Sequence, residues 1–175
     1  MKKYFIPKKN IIITPNLIIE DFNKKLINKR YVKWLNDEKV NKFIINKKSK
    51  TKKKDIFNYL KSLDKKKNIF LSVNLKKKNI HIGNIRLKIL FKKKYVYFSI
   101  FIGDPKYHNK GFGSESLKYI IIYCKNFLKL KKILVKVCKK NISAIKIYKK
   151  NKMKFIKKKN NLKNSNFVYL EKKLC

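Results

Sequence analysis

The sequence is poor in arginine, acidic residues, glycine and alanine, and these shortages exclude some classes of function and partner. Nine of its 175 residues are acidic and 50 are basic, which gives a formal net charge of +41. Only two of the basic residues are arginines, Arg30 and Arg86. Proteins that read bases or grip phosphates usually use the planar fork of arginine. The shortage of arginine therefore argues against a specific nucleic-acid partner.

Codon composition explains the excess of lysine more simply than a nucleic-acid partner does. Ala144 is the only alanine, while Ile, Asn, Lys, Tyr and Phe are abundant, as is typical of a genome rich in A and T. The lysines occur in short runs along the whole chain, so we interpret most of them as a solvated surface. Weak attraction to polyanions, fading with salt, still follows. The alternative hypothesis is a basic nucleic-acid- or ribosome-associated binding protein without catalysis.

Cysteines and long apolar runs are also scarce. Cys124, Cys138 and Cys175 have no close spacing, which argues against a disulfide framework or a metal site and fits a reducing cytoplasm. The N-terminal residues lack a long apolar stretch, so we expect no signal peptide, and the longest apolar run, Tyr119 to Cys124, is too short to span a membrane. We expect a cytoplasmic protein with no membrane partner. Its length predicts one domain over residues 1–175, as a monomer or homodimer.

The hydrophobic period changes along the chain and predicts an α+β fold. The predicted elements are a strand and turn over 11–19, helices over 20–44 and 51–65, strands over 69–75, 80–91 and 95–102, a glycine loop leading into a long helix, a strand over 133–138, a helix over 143–150, and closing strands from 155 and over 167–170. Thr51 is the expected N-cap of the second helix. Short polar turns predict an antiparallel meander, and the later strand–helix–strand crossover predicts a parallel pair.

Two of the four glycines lie in one loop, which reads His108-Asn109-Lys110-Gly111-Phe112-Gly113-Ser114-Glu115. Glycine lets the backbone approach a ligand closely, and the start of a helix favours an anion. A strand, this loop and a helix together predict a cradle for phosphate or pyrophosphate. The spacing fits neither the P-loop nor the dinucleotide fingerprint. A tight strand-to-helix turn without a ligand is the alternative.

This loop resembles motif A of the GNAT acetyltransferases, Gln/Arg-x-x-Gly-x-Gly/Ala, and the stretch from residue 102 to 115 is similar to the RimJ/RimL-like branch. Residues 141–148 resemble the family segment Asn-x-x-Ala-x-x-x-Tyr, and residues 31–41 resemble the block Trp-Leu-Asn-Asp-x-x-Val. The resemblance spans roughly residues 12 to 172. It implies a GNAT-like α/β sandwich: a mixed, mostly antiparallel sheet of about six or seven strands, with flanking helices and a splayed parallel pair.

The resemblance also implies direct transfer of an acetyl group from acetyl-CoA to a primary amine on a small molecule or peptide. Tyr148 matches the tyrosine that can protonate the departing thiolate, and Asn141 is expected to contact the cofactor arm. Their alternatives are a core-edge tyrosine and a helix N-cap. The residues expected to bind the cofactor in the loop are Asn109, Lys110, Gly111, Phe112, Gly113 and Ser114.

The chain departs from the family pattern at three places. His108 replaces the usual Gln or Arg, and Lys152 and Met153 stand near a family Gly-Phe pair. The glutamate that many relatives carry on the strand before the loop is missing near Tyr97 and Ser99. We leave the general base unassigned; the remaining candidates are Asp104, Glu115, His81 and His108.

The resemblance leaves the acceptor open. The RimJ/RimL-like branch acts on protein N-termini and on amino sugars carried by nucleotides, and antibiotic amines and polyamines are further alternatives. A polyamine is the least favoured, since a cation would meet a positive surface.

Overall fold

The computed structural model describes residues 7–43, 50–156 and 166–174. Within these ranges the strands are β1 Ile11–Ile13, β2 Leu17–Asp21, β3 Asn68–Leu75, β4 Ile80–Leu90, β5 Tyr95–Ile102, β6 Lys132–Cys138, β7 Lys154–Ile156 and β8 Phe167–Lys173. The α-helices are α1 Lys29–Asn36, α2 Glu38–Asn41, α3 Lys53–Ser62, α4 Phe112–Asn126 and α5 Ile142–Lys150, with short 3-10 helices at Lys24–Leu26, Phe91–Lys93 and Pro105–Tyr107. None of the helices described is long and apolar enough to cross a bilayer.

The strands form one sheet in the order β1-β2-β3-β4-β5-β6-β8-β7. Only the β5–β6 pair is parallel, and every other neighbouring pair is antiparallel. The predicted meander, parallel crossover and α+β class are confirmed. The sheet has eight strands, not about six or seven, because residues 11–19 form parts of two strands. The chain reverses after Thr14, whose N–H donates to the carbonyl of Leu17 at 2.9 Å.

The helix predicted over residues 20–44 is wrong for most of its length. Residues 20–21 complete β2, and the helical part is divided into separate short helices by residues whose side chains cap them. Asn23, Asn28 and Asp37 accept hydrogen bonds from the N–H groups of Lys25, Tyr31 and Lys39, respectively, and so begin a new helix each time. Residue 44 lies outside the described residues.

Helices cover both faces of the sheet. On what we call the back face, α4 and α5 pack on the main core, where Val96 and Phe98 of β5 meet Leu117, Ile120 and Tyr148. On the opposite side, the front face, α1 contributes Tyr31 and Trp34 to a second cluster that includes Phe101 of β5. Side chains alternate between the two faces along a strand, so the neighbours of the buried back-face residues of β4 and β5 lie on the front face. These front-face residues are Asn84, Arg86, Lys88, Tyr97 and Ser99.

Candidate active site

β5 and β6 diverge part-way along their length and open a cleft in the middle of the sheet. Their pairing begins at Tyr95 with Lys132 and ends at Tyr97 with Leu134. β5 then continues beside β4 to Ile102, while β6 continues beside β8 to Cys138. A continuous parallel ladder would occupy the backbone groups that face this cleft. An extended ligand arm can therefore lie there and bond to them.

The loop after β5 ends at a helix start that has no side-chain cap. Gly111 is the N-cap of α4, with φ +85°, and the first bond of this turn runs from the N–H of Glu115 to the carbonyl of Gly111 at 2.9 Å. The N–H groups of Phe112, Gly113 and Ser114 therefore have no partner within the helix. A Cβ built on Gly111 would meet nothing within 4 Å, so the space beside it is open. Free amides, the helix dipole and this space fit a diphosphate.

The loop is held in shape by its own side chains. The ring of His108 donates from Nε2 to the carbonyl of Ile102 at 2.8 Å, so this residue braces the loop although it replaces the family's Gln or Arg. Asn109 has φ 58°, in the left-handed region that asparagine tolerates well. The Nζ of Lys110 lies 5.8 Å from the ring centroid of Tyr107, and that ring lies 6.1 Å from Phe112.

Glu115 ties the start of α4 to the turn between β1 and β2. Its Oε1 accepts from the Thr14 hydroxyl at 2.5 Å and from the N–H of Asn16 at 2.9 Å, and its Oε2 accepts from Asn16 Nδ2 at 3.0 Å. Burial alone would raise the pKa of this carboxyl, but the hydrogen bonds from Thr14 and Asn16 lower it below its ordinary value. A carboxylate held ionised in this way is a poor proton acceptor, so Glu115 supports the loop.

Asn151 joins the two helices next to the loop, and the sequence reasoning missed it. Its Nδ2 donates to Ser114 Oγ at 3.0 Å and to the carbonyl of Ile147 at 2.9 Å. The side chain of Ser114, one of the predicted loop residues, is thus bonded to the C-cap residue of α5. Close approach of the helices also limits Gly113, since a Cβ there would lie 3.0 Å from Ile147 Cδ1. No local pattern reveals this bond, because its partners are 37 residues apart.

Asn141 and Tyr148 both lie on α5, one at its start and the other in its last turns. Asn141 is the N-cap: its Oδ1 accepts from the N–H of Ala144 at 3.1 Å and from the Ser143 hydroxyl at 3.0 Å. Its Nδ2 group takes no part in these two bonds. Tyr148 is 5% exposed, and burial raises the pKa of its phenol to about 12.

The turn after α5 keeps its shape although the family glycine is replaced by Lys152. Lys152 has φ 59°, its N–H donates to the carbonyl of Lys149 at 2.8 Å, and the N–H of Met153 donates to the carbonyl of Tyr148 at 3.0 Å. This is the Schellman pattern that usually selects glycine at the left-handed position. Met153 fills the place of the aromatic residue and is buried in the main core.

The other candidate bases have structural partners as well. Asp104 caps the short helix after β5 by accepting from the N–H of Lys106 at 3.1 Å. His81 is 2% exposed and is enclosed by the rings of Phe22, Tyr31 and Trp34, the nearest at 5.3 Å. Burial lowers the pKa of this imidazole. Neither of the candidate carboxylates, Asp104 and Glu115, is free to act at the cleft. The general base therefore stays unassigned.

The Trp-Leu-Asn-Asp block, residues 34–37, has architectural contacts. Trp34 lies so close to Gly103 that a Cβ there would be 2.3 Å from its ring. Asn36 bonds to both backbone groups of Thr51, accepting from its N–H at 2.7 Å and donating to its carbonyl at 2.8 Å. Thr51 therefore joins α1 to α3; the predicted N-cap role falls to Lys52, whose N–H donates to Asp55 at 2.7 Å.

Comparisons with known proteins agree with this geometry. A family model described as an acetyltransferase (GNAT) domain matches residues 16–154. No curated protein sequence gives a significant match. Among solved structures, a GNAT-family acetyltransferase from Bacillus anthracis has a TM-score of 0.77 and 23% identity, over 94% of this chain and 99% of its own.

Two further structures are similar at lower identity. Spermidine N-acetyltransferase from Vibrio cholerae, solved with CoA and spermine, has a TM-score of 0.77 and 17% identity, over 92% of this chain and 97% of its own. RimL, a ribosomal L7/L12 alpha-N-protein acetyltransferase in complex with coenzyme A, has a TM-score of 0.77 and 11% identity, over 94% of this chain and 98% of its own. Identities this low establish a shared fold and leave the acceptor open.

The family assignment depends on the extent of the family match. Residues 16–154 make up most of the chain and include the cleft, the glycine loop and Tyr148. The chain therefore belongs to the GNAT acetyltransferase family and is an N-acetyltransferase with acetyl-CoA as its co-substrate.

Proposed function

We propose that this enzyme moves an acetyl group directly from acetyl-CoA to a primary amine presented at the β5–β6 cleft, in the reducing cytoplasm. The observation that carries the proposal is the combination of two features: strands that separate after Tyr97 and Leu134, and an uncapped helix start at Gly111. Acetyl-CoA supplies the activated thioester. Protein N-termini and amino sugars on nucleotide carriers are the acceptor classes to test first, since the chain resembles the branch that acts on them.

The loop residues hold the pyrophosphate in this proposal. The backbone N–H groups between Asn109 and Ser114 bind it, with Lys110 as a nearby cation and Gly111 leaving room for close approach. Asn141 donates from Nδ2 to the cofactor arm while its Oδ1 caps α5. Binding of both ends of a long ligand fixes the thioester in the cleft, and orientation of this kind contributes much of the rate enhancement in transfer reactions.

Tyr148 stabilises the leaving sulfur. Its phenol is protonated at neutral pH, as an ordinary tyrosine is, and burial raises its pKa further, to about 12. An ordinary thiol has a pKa of about 8.5, so complete proton transfer from this phenol to a thiolate is unfavourable. We therefore propose that Tyr148 acts mainly by donating a hydrogen bond as negative charge develops on sulfur, as a donor in an oxyanion hole does for oxygen.

The test is isothermal titration calorimetry with acetyl-CoA at moderate salt, with coenzyme A alone as a reference. Gly111→Glu places a carboxylate in the open space and should abolish binding. Lys78→Gln, in the exposed turn between β3 and β4, changes the net charge by the same single unit and should bind as the wild type does. Equal binding by all three proteins, or binding by none, would refute the cofactor site and favour a basic binding protein.

A further inference from the structure

An acceptor has to reach the cleft from the front face of the sheet. On the back face, Val96 and Phe98 of β5 and Val135 and Val137 of β6 are buried in the core that α4 covers. Ser99 points to the other side and is exposed. The chemistry of the front face beside the cleft therefore determines which amines can approach.

The charge on this part of the front face is almost entirely positive. Arg86 and Lys88 of β4 lie on one side of β5, and Lys132 and Lys136 of β6 lie on the other. Among the described residues on the front face of β4, β5, β6 and β8, the only carboxylate is Glu171. Its Oε2 lies 2.9 Å from Lys132 Nζ, so these two charges compensate each other and leave the positive charges of Arg86, Lys88 and Lys136.

The other carboxylates lie on elements outside this surface, and all nine of the chain lie in the described ranges. Eight of them accept hydrogen bonds or form ion pairs that cap helices, close turns or join strands. Glu38, the ninth, is exposed at the start of α2. The eight are Glu20, Asp21, Asp37, Asp55, Asp64, Asp104, Glu115 and Glu171. A molecule with several positive charges would find no group of acids to neutralise it.

Arg86 is the front-face cation best suited to bind an anion. Its Nε and Nη2 donate to Asn68 Oδ1 at 3.0 and 2.9 Å, and its Nη1 donates to the Tyr59 hydroxyl at 3.1 Å. The guanidinium also lies 5.8 Å from the Tyr59 ring centroid. These partners are neutral, so they fix the side chain and leave its charge uncompensated. The backbone of Arg86 pairs in register with Ser99, which lies at the edge of the cleft, while its guanidinium is held toward Asn68 of β3 and Tyr59 of α3.

We infer that the acceptor amine belongs to an anionic molecule, one that carries phosphate or carboxylate groups, and that Arg86 is an anion contact for it. This inference depends on the proposed function, because the cleft is where the acetyl group would be presented. It separates this chain from the spermidine N-acetyltransferase that shares its fold, since spermidine is a polycation. Arginine suits the role because its fork binds phosphate or carboxylate through two hydrogen bonds.

The test compares acceptors in pairs that share the amine and differ chiefly in the charge of the group beside it. Glucosamine 6-phosphate is measured against glucosamine, and a short peptide with acidic residues after its first residue is measured against the same peptide with lysines; spermidine is measured alone. In at least one pair we expect the anionic member to have a kcat/KM about tenfold higher or more. A pair without turnover is compared by equilibrium binding to the enzyme saturated with coenzyme A.

Two variants distinguish a specific contact from the general positive field. Arg86→Gln should reduce the preference for the anionic member, while Lys78→Gln, a matched loss of one charge in the exposed turn between β3 and β4, should leave it unchanged. Equal use of both members of each pair, or preferred use of spermidine, would overturn the inference; a preference that Arg86→Gln leaves intact would overturn the role of Arg86. Failure of coenzyme A binding in calorimetry would instead refute the proposed function.

Discussion

Replacing Lys152 by glycine should stabilise the protein, because Lys152 holds a left-handed conformation, with φ 59°, in the turn that follows α5. An L-residue in this region costs about 1–2 kcal/mol relative to the right-handed region. Glycine escapes that cost but loses about 0.5–1 kcal/mol more backbone entropy on folding. The expected net gain in the free energy of unfolding is about 0.5–1 kcal/mol, the difference between the two.

The measurement is thermal and urea unfolding of the Lys152→Gly variant. For a chain of this length, the gain corresponds to a rise of about 1–4 °C in Tm, with an unchanged urea m-value. Lys152→Ala removes the same charge and keeps the Cβ, so it should not show the gain. A glycine variant no more stable than the alanine variant would refute the view that backbone strain is stored at this turn.

The other predictions concern the loop, the proposed acid and the packing beneath α1. Glu115→Gln should lower the free energy of unfolding by about 1–2 kcal/mol at neutral pH, since it weakens charge-assisted hydrogen bonds. Because the folded pKa of Glu115 is lowered, that stabilisation is present above the unfolded pKa of about 4.3 and is lost as pH falls through the folded pKa. Urea unfolding from pH 3 to 7 should therefore show the stabilities of the wild type and the Glu115→Gln variant converging in acid. Tyr148→Phe should reduce kcat about a hundredfold with little change in the dissociation constant of acetyl-CoA, and an undiminished kcat would exclude Tyr148 as the donor to sulfur. Gly103→Ala should cost about 2 kcal/mol in urea unfolding, because its Cβ would lie 2.3 Å from the Trp34 ring; a neutral change would mean that α1 shifts freely.

The sequence was sufficient to predict elements that are bounded by turn-forming residues or marked by a regular apolar spacing. β5 was predicted over its observed length, because lysines precede it and Gly103-Asp104-Pro105 follows it. α4 was predicted from apolar residues at helical spacing, and Leu117, Ile120 and Cys124 are fully buried. These signals are local, so they need no knowledge of the partner elements.

The errors and omissions of the sequence-based prediction have two physical causes. One is competition between helix propensity and side-chain capping, and the other is contact between segments that are distant in sequence. Residues 20–44 carry apolar residues at helical spacing, yet Asn and Asp side chains end and restart the helix within this range. The bond between Glu115 and Thr14 joins residues 101 positions apart. A contact of this kind follows from topology, so the local pattern around Glu115 did not predict it.

The scarce glycines provide a further reason to regard the loop as a ligand site. Among the described residues, Asn79, Lys94, Asn109, Lys129 and Lys152 also have positive φ, between 47° and 59°, so this chain tolerates the strain of a left-handed backbone at several non-glycine positions. At Gly83, Gly103 and Gly113 a Cβ would lie 3.0 Å or less from a neighbouring atom, and space explains the residue. Gly111 has no neighbour within 4 Å of such a Cβ. Gly111 is exposed beside the uncapped amides of α4, so a Cβ there would strain the backbone at φ +85° and, in the proposed site, would also obstruct the diphosphate.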